Sequence, residues 1–242
     1  MLSTRTDLLG EEVADDLAQL QDRLAAFPAS EARATIEREL GAPVGRLFDE
    51  FDDEPVSAAS IAQVHYARLP DEDPFAHRAV AIKVLRPGIE EAFRRDIDLL
   101  AWLAALVERT QPALRRFRPV AVIETFAEIT EREMDLRMEA AAANELAENF
   151  AGDDSYVVPA VDWQRTARRV LTLQRLEGIP MDDREALLGA GFDLRDVLGK
   201  AAAIFFNQAF RDGYFHGDQH PGNMFVTADG RIGPVDFGIM GR

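Results

Sequence analysis

Cysteine is absent from this 242-residue chain, which excludes disulfides and thiolate metal sites and fits a reducing compartment. Lysine is nearly absent too: of 27 basic residues only Lys83 and Lys200 are lysines. No apolar run approaches the roughly eighteen residues that a bilayer span requires, and the longest helix-like stretch, Leu99 to Val107, falls far short. Arg5 and Asp7 interrupt the amino terminus before any signal-peptide core develops. Positive charge is in deficit, 27 basic against 43 acidic residues for a net charge of −16, which argues against nucleic acid and against electrostatic adhesion to anionic lipid. The four histidines are scattered, and no H-x-x-H-type helix pattern marks a zinc site. With 47% apolar residues, the chain can bury a core as one large domain or two lobes.

What is present clusters near the carboxyl end. Residues His216 to Asn223 read H-G-D-Q-H-P-G-N, and thirteen residues after Asn223 comes Asp236-Phe237-Gly238. An acid five residues ahead of an amide, followed by D-F-G, is the metal-and-phosphate half of a protein-kinase-like site. The chemistry explains the residue types. Magnesium on nucleotide phosphates needs hard oxygen donors, and an acid must sit where the acceptor arrives. Asn223 and Asp236 are therefore the candidate metal ligands and Asp218 the candidate catalytic carboxylate, facing the acceptor. Met224 to Thr227, the turn Ala228-Asp229-Gly230 and Arg231 to Val235 predict a hairpin that returns Asn223 and Asp236 to the same end. His216 is read as a structural hydrogen-bonding residue, and His220 as a group near the metal.

Upstream, Val80-Ala81-Ile82-Lys83-Val84 places one of the two lysines inside a β-rich run, where a kinase lysine meets the α- and β-phosphates. A glycine-rich loop should precede it. Ser57-Ala58-Ala59-Ser60-Ile61-Ala62-Gln63-Val64-His65 stands there instead, without G-x-G-x-x-G, so Ala58, Ala59 and Ser60 are the candidate phosphate loop with a more restricted backbone.

The alanine-rich loop, the lysine strand, E-R-E-M-D-L-R-M-E-A-A-A-A-N and H-G-D-Q-H-P-G-N…D-F-G occur in the order found in the UbiB/AarF family, which this sequence resembles from about Leu2 to its end. The family comprises atypical kinase-like proteins associated with ubiquinone and related isoprenoid-lipid metabolism. The resemblance implies ATP and Mg2+ as cofactors, and phosphoryl transfer or ATP hydrolysis as the activity. Glu133 and Asp135 match the family's E-x-D pair, near nucleotide and metal, and Glu139 matches the glutamate that pairs with the strand lysine. Glu90, Glu91 and Glu108 lie nearer to Lys83 in sequence, and Glu131, Glu133, Asp135 and Glu139 could instead form a solvated helix face. Glu133 and Asp135 lie about 200° apart on a regular helix, so either the helix begins or distorts there or only one acid points inward.

The expected fold is α+β, protein-kinase-like and two-lobed: an N-terminal helical extension over residues 1–45, an N-lobe with a helical insertion over 46–176, and a partial C-lobe over 177–242. Helices are predicted for Val13 to Phe27, Ser30 to Leu40, Ile89 to Arg109, Pro119 to about Asn149 and Leu194 to Arg211, the last read as buried through Ala201, Phe205 and Ala209. Tyr156 to Val161 and Arg169 to Leu176 read as strands, with backbone groups of about Gln174 to Leu176 meeting adenine. The family's K-x-G-Q signature normally precedes a stretch like residues 2–9, and the chain stops six residues after Asp236, so a fragment or short member lacking that signature and the distal C-lobe is expected. Expected partners are nucleotide and either quinone-biosynthesis proteins or lipid head groups, with membrane contact only through parts not in this chain and a cytoplasmic location otherwise. The competing readings are a nucleotide-gated module with little turnover and an aminoglycoside- or choline-type small-molecule kinase.

Overall fold

A computed structural model describes residues 25–242. The apolar stripe Val13, Leu17, Leu20 and Leu24 lies outside the described residues. Its last member, Phe27, is buried in the core.

Helix α1 (Ala29–Leu40) ends where Gly41 takes a left-handed φ of 72° ahead of Ala42-Pro43, and a single turn, α2 (Val44–Leu47), follows. The main sheet is antiparallel throughout, in the order β1 (Glu50–Phe51), β3 (Ala62–Arg68), β4 (Ala79–Leu85), β5 (Val170–Gln174), with β2 (Ser57–Ala58) also pairing with β3. Side chains alternate across a strand, and β4 uses that alternation sharply. Val80, Ile82 and Val84 are buried against Ala32, Ile36 and Val44 of the first two helices. Lys83 and Leu85 project from the opposite face, where Leu85 joins a core with Leu136, Ala140, Ala143 and Leu146.

Between β4 and β5 run three helices, α3 (Ile89–Thr110), α4 (Pro119–Glu133) and α5 (Leu136–Asn149), with a 3-10 segment at Pro112–Phe117. The single helix predicted from Pro119 to Asn149 is two. Met134 and Asp135 leave helical geometry, and the Asp135 carboxylate accepts the Arg137 N–H at 3.2 Å as an N-cap. An aspartate competes for nearby backbone N–H groups better than it propagates a helix, so it restarts the helix here. The stretch Tyr156 to Val161 is not a strand either: it makes isolated bridges, Tyr156 to Ile232 and Val161 to Leu173.

After β6 (Ile179–Pro180) come α6 (Arg184–Gly189) and α7 (Leu194–Phe206), whose last turn widens into a π-helix at Asn207–Asp212. The expectation of a buried helix here fails. Val197, Ile204 and Gln208 are buried, whereas Leu198, Phe205, Phe206 and Phe210 are exposed. The chain closes with β7 (Phe215–His216), β8 (Met224–Val226), β9 (Ile232–Pro234) and β10 (Met240–Gly241). β6, β8 and β9 make one small sheet, and β7 pairs with β10. No helix of the described residues is long and apolar enough to cross a membrane.

Candidate active site

The site is built where the polar side of β4 meets α5. Leu136, Ala140, Ala143 and Leu146 give α5 an apolar stripe facing the sheet, and Glu139 falls within that stripe by helical spacing. Opposite it, Lys83 Nζ donates to Glu139 Oε1 and Oε2 at 2.8 and 2.9 Å and to Asp236 Oδ1 at 3.2 Å. The two main partners are largely withdrawn from water, Lys83 being 19% exposed and Glu139 6%. Burial alone would lower the lysine's pKa, but the two carboxylates outweigh it and hold the ammonium above the ordinary lysine range. Asp236 behaves in the mirror sense: burial works to raise its pKa, but Lys83 and the Gly238 N–H, 3.0 Å from Oδ1, hold it down at about 2. Burial raises the Glu139 carboxyl, with Asp236 adding and Lys83 opposing. Glu139 also accepts the Phe237 N–H at 3.2 Å, so one carboxylate joins β4, α5 and the D-F-G segment.

Two of the three alternatives for the lysine's partner are engaged elsewhere. Glu90 pairs with Arg168 and Arg169, and Glu108 Oε1 accepts the Val120 N–H.

The break between α4 and α5 separates the E-x-D acids. Glu133 ends α4 open to solvent on one side; desolvation on its other side and then the charge of Asp236 raise its carboxyl pKa, against the opposing pull of Lys83. Asp135 instead gives both oxygens to the Arg137 guanidinium, at 2.8 and 2.6 Å, and lines an outer groove of about 390 Å³ with Glu128, Glu131 and Arg168. Of this pair, Glu133 feels the Lys83–Asp236 charges, whereas Asp135 serves as the helix cap.

The hairpin β8–β9 forms in the register Met224 to Pro234, and the Val235 N–H donates to the Asn223 carbonyl at 3.0 Å. Asn223 and Asp236 therefore flank the same end of one ladder. Lys200, the second lysine, donates to Gly230 O at 2.9 Å across the hairpin turn. In the H-G-D loop, His216 is buried; its Nε2 bonds the Asp236 carbonyl and its Nδ1 accepts the Asp218 N–H at 3.2 Å. That fixes the tautomer with the proton on Nε2. Gly217 donates to Ile239 O at 2.8 Å, and a Cβ there would lie 3.0 Å from Ile239 Cγ2. The loop leaves the half-buried Asp218 carboxylate without a hydrogen-bond partner among the described residues. His220 is exposed, and its Nδ1 accepts the Gly222 N–H.

Ala58 ends β2, and Ala59 and Ser60 form the turn into β3, closed by Ala59 N–H to Ala62 O at 2.8 Å. Of the three residues expected at an adenine, Gln174 commits its N–H to Ala160 O and Arg175 to Ala79 O, whereas the Leu176 N–H has no backbone partner among the described residues. Two contributors escaped sequence reasoning. Phe237 acts through its main-chain N–H, which no side-chain pattern reveals. Gln208 accepts the His216 N–H at 2.8 Å from inside the π-helix, and its signal was a polar residue at the buried spacing Val197, Ile204, Gln208.

A buried lysine–glutamate pair between a strand and a helix, joined to a D-F-G aspartate and a hairpin-borne asparagine, defines a kinase-like protein. The chain belongs to the ABC1 atypical kinase-like domain family, whose model matches residues 19–242. It is 44% identical over 245 residues to a probable protein kinase UbiB of Marinobacter nauticus and 45% identical over 248 residues to one of Xanthomonas oryzae pv. oryzae, covering all of this chain in each case. The chain spans 44% of the length of these curated relatives. Among solved structures it resembles Rv3197 of Mycobacterium tuberculosis, from its complex with erythromycin, with a TM-score of 0.75 and 32% identity over 99% of this chain and 58% of that one. The α+β, kinase-like fold expected from sequence is thus the fold observed.

Proposed function

We propose that this chain carries the nucleotide site of a UbiB-type atypical kinase, binding Mg-ATP for phosphoryl transfer or ATP hydrolysis in support of isoprenoid quinone biosynthesis. The observation that carries the reading is the Lys83–Glu139–Asp236 cluster. A compact ammonium, kept charged by two carboxylates, stands beside an aspartate ionised throughout the physiological range. Among the described residues no three His, Cys, Asp or Glu side chains gather into a metal cage. Magnesium on a nucleotide does not need one, because it is held by one or two protein oxygens with water and phosphates completing the octahedron. The hard oxygens of Asp236 and Asn223, at one hairpin end, fit that requirement.

When bound, Mg-ATP supplies the transferable phosphoryl group and neutralises its charge. The protein's own parts act around it. Lys83 meets phosphate oxygens, Glu139 fixes Lys83 in place, Ala58 to Ser60 cover the phosphates, and the free Leu176 N–H meets the adenine edge. Asp218, its carboxylate unengaged and its main chain held by His216, accepts the proton of the attacking hydroxyl or water. Glu133 lies close enough to Asp236 to share the metal's field. The partners of this reading are quinone-biosynthesis proteins or lipid head groups, and the location is cytoplasmic with membrane association in a longer protein.

The test is a thermal melt with Mg-ATP or Mg-ADP, alongside Asp236→Asn. Ligand at a hundred times its dissociation constant adds about 2.7 kcal/mol, a rise of several degrees. That rise should require magnesium and vanish in Asp236→Asn; a clean melt that nucleotide does not move sinks the reading. The pinned alanine turn favours one alternative, a nucleotide-gated module with little turnover. Turnover lost in Asp218→Asn would speak for the enzyme, and tight binding without turnover for the module.

A further inference from the structure

Three residues beyond Lys83, Arg86 leaves the end of β4 beside the alanine-rich turn. The register makes this unavoidable, since Lys83 faces Val64 and Leu85 faces Ala62 across the β3–β4 ladder. The Arg86 N–H donates to Ile61 O at 2.7 Å. Its guanidinium then spans two segments that are far apart in sequence. Nε donates to Ser60 O at 3.3 Å, and Nη2 donates to Ala59 O at 3.3 Å and to Ala25 O at 3.1 Å. The same group lies 5.3 Å from the centre of the Phe27 ring.

A second fastening lies directly behind. Gln63 is buried on β3 and grips the Phe27 main chain from both sides, accepting the Phe27 N–H at 3.1 Å and donating to Phe27 O at 3.3 Å. Its orientation is set by His65, whose Nδ1 donates to Asp52 O at 2.8 Å, leaving Nε2 to accept from Gln63 Nε2 at 2.8 Å. The Ala25–Phe27 segment is therefore held by two residues that also border the phosphate turn. Nothing in the phosphate chemistry requires this fastening, and an arginine that only capped the strand end would not reach Ala25.

We propose that Arg86 is a positioning residue that couples the alanine-rich turn to the Ala25–Phe27 segment, so that nucleotide engagement and seating of that segment stabilise each other. This rests on the nucleotide-site reading above. Arginine suits the task because one planar fork reaches several carbonyls at once, which a lysine ammonium on a flexible stem does not. Coupling of this kind is reciprocal: whatever unseats residues 25–27 weakens nucleotide binding, and nucleotide tightens the segment.

Hydrogen exchange on the whole chain, with and without Mg-ADP, tests this alongside calorimetric titration of Mg-ADP, for wild type, Arg86→Ala and Arg86→Lys. In wild type, nucleotide should slow exchange at residues 223–236, in the 57–63 turn and at 25–31. In Arg86→Ala the dissociation constant should rise about tenfold, and saturating nucleotide should still protect 223–236 but no longer 25–31. Arg86→Lys should lose the protection at 25–31 with a smaller change in affinity, and it carries the test should the alanine variant not fold. A merely structural staple would alter the melt without separating the two protection patterns. Nucleotide-dependent protection at 25–31 that survives both variants, or an unchanged dissociation constant, overturns the proposal alone. A wild type with no protection at 223–236 removes the nucleotide site itself and the coupling with it.

Discussion

Helices α3 and α5 both show the four-and-three apolar spacing of an amphipathic helix, yet the fold uses them in opposite ways. In α5, Leu136, Glu139, Ala140, Ala143 and Leu146 are all buried within one 14-residue helix. In the 22-residue α3, Ala104 alone is buried, while Leu99, Trp102 and Leu103 are exposed. α5 begins with a side-chain cap from Asp135; α3 begins at Gly88 with a φ of 73° and no such cap. The difference teaches that periodicity reports helix formation and the direction of the apolar face, but not what covers that face. What distinguishes the site-bearing helix is a charge placed among its apolar positions, tolerable only because Lys83 stands opposite.

The largest expected effect breaks that distinction. Glu139→Ala leaves the Lys83 ammonium facing only the half-exposed Asp236, and the loss should be about 3 kcal/mol by chemical denaturation, with Mg-nucleotide binding abolished. Replacing both partners, Lys83→Met with Glu139→Leu, should recover much of the stability but none of the binding. Stability that is equally low in the double variant would mean that packing of α5, rather than the ion pair, sets the cost.

A smaller effect sharpens the contrast at the helix starts. Asp135→Ala removes the α5 cap and should cost about 1 kcal/mol, with nucleotide affinity changed less than by Glu133→Gln. A variant in which affinity falls as far as with Glu133→Gln would return Asp135 to the site. The smallest effect belongs to α3: Trp102→Ser should shift stability by less than about 0.5 kcal/mol, because the ring is already 61% exposed. A loss several times larger would show that α3 is covered in solution.

Much of this arrangement is legible in the sequence. Strand β4 could be read from Val80, Ile82 and Val84, and the hairpin from Ala228-Asp229-Gly230, because alternation and turn chemistry act over a few residues. The ion pair of Lys83 with Glu139 spans 56 positions and came from family resemblance, since three nearer glutamates were chemically equivalent candidates. The break before α5 was half visible: the spacing of Glu133 and Asp135 called for either a helix start or distortion or a single inward-pointing acid, and no proline or glycine chose between them. The exposure of Phe206 and Phe210 was illegible, because an apolar stripe looks the same whether or not a neighbour covers it. The main-chain donor Phe237 was beyond reach of any side-chain pattern.

The two lysines carry one more implication, for reagents. Lys83 is held as an ammonium by Glu139 and Asp236, and a protonated amine has no lone pair to offer an electrophile. Lys200 spends one N–H on Gly230 O at an exposed surface. Acylating chemistry aimed at primary amines thus sorts these side chains by environment: Lys200 is the accessible handle for a fluorophore or surface tether, and the site lysine is shielded by its own carboxylates.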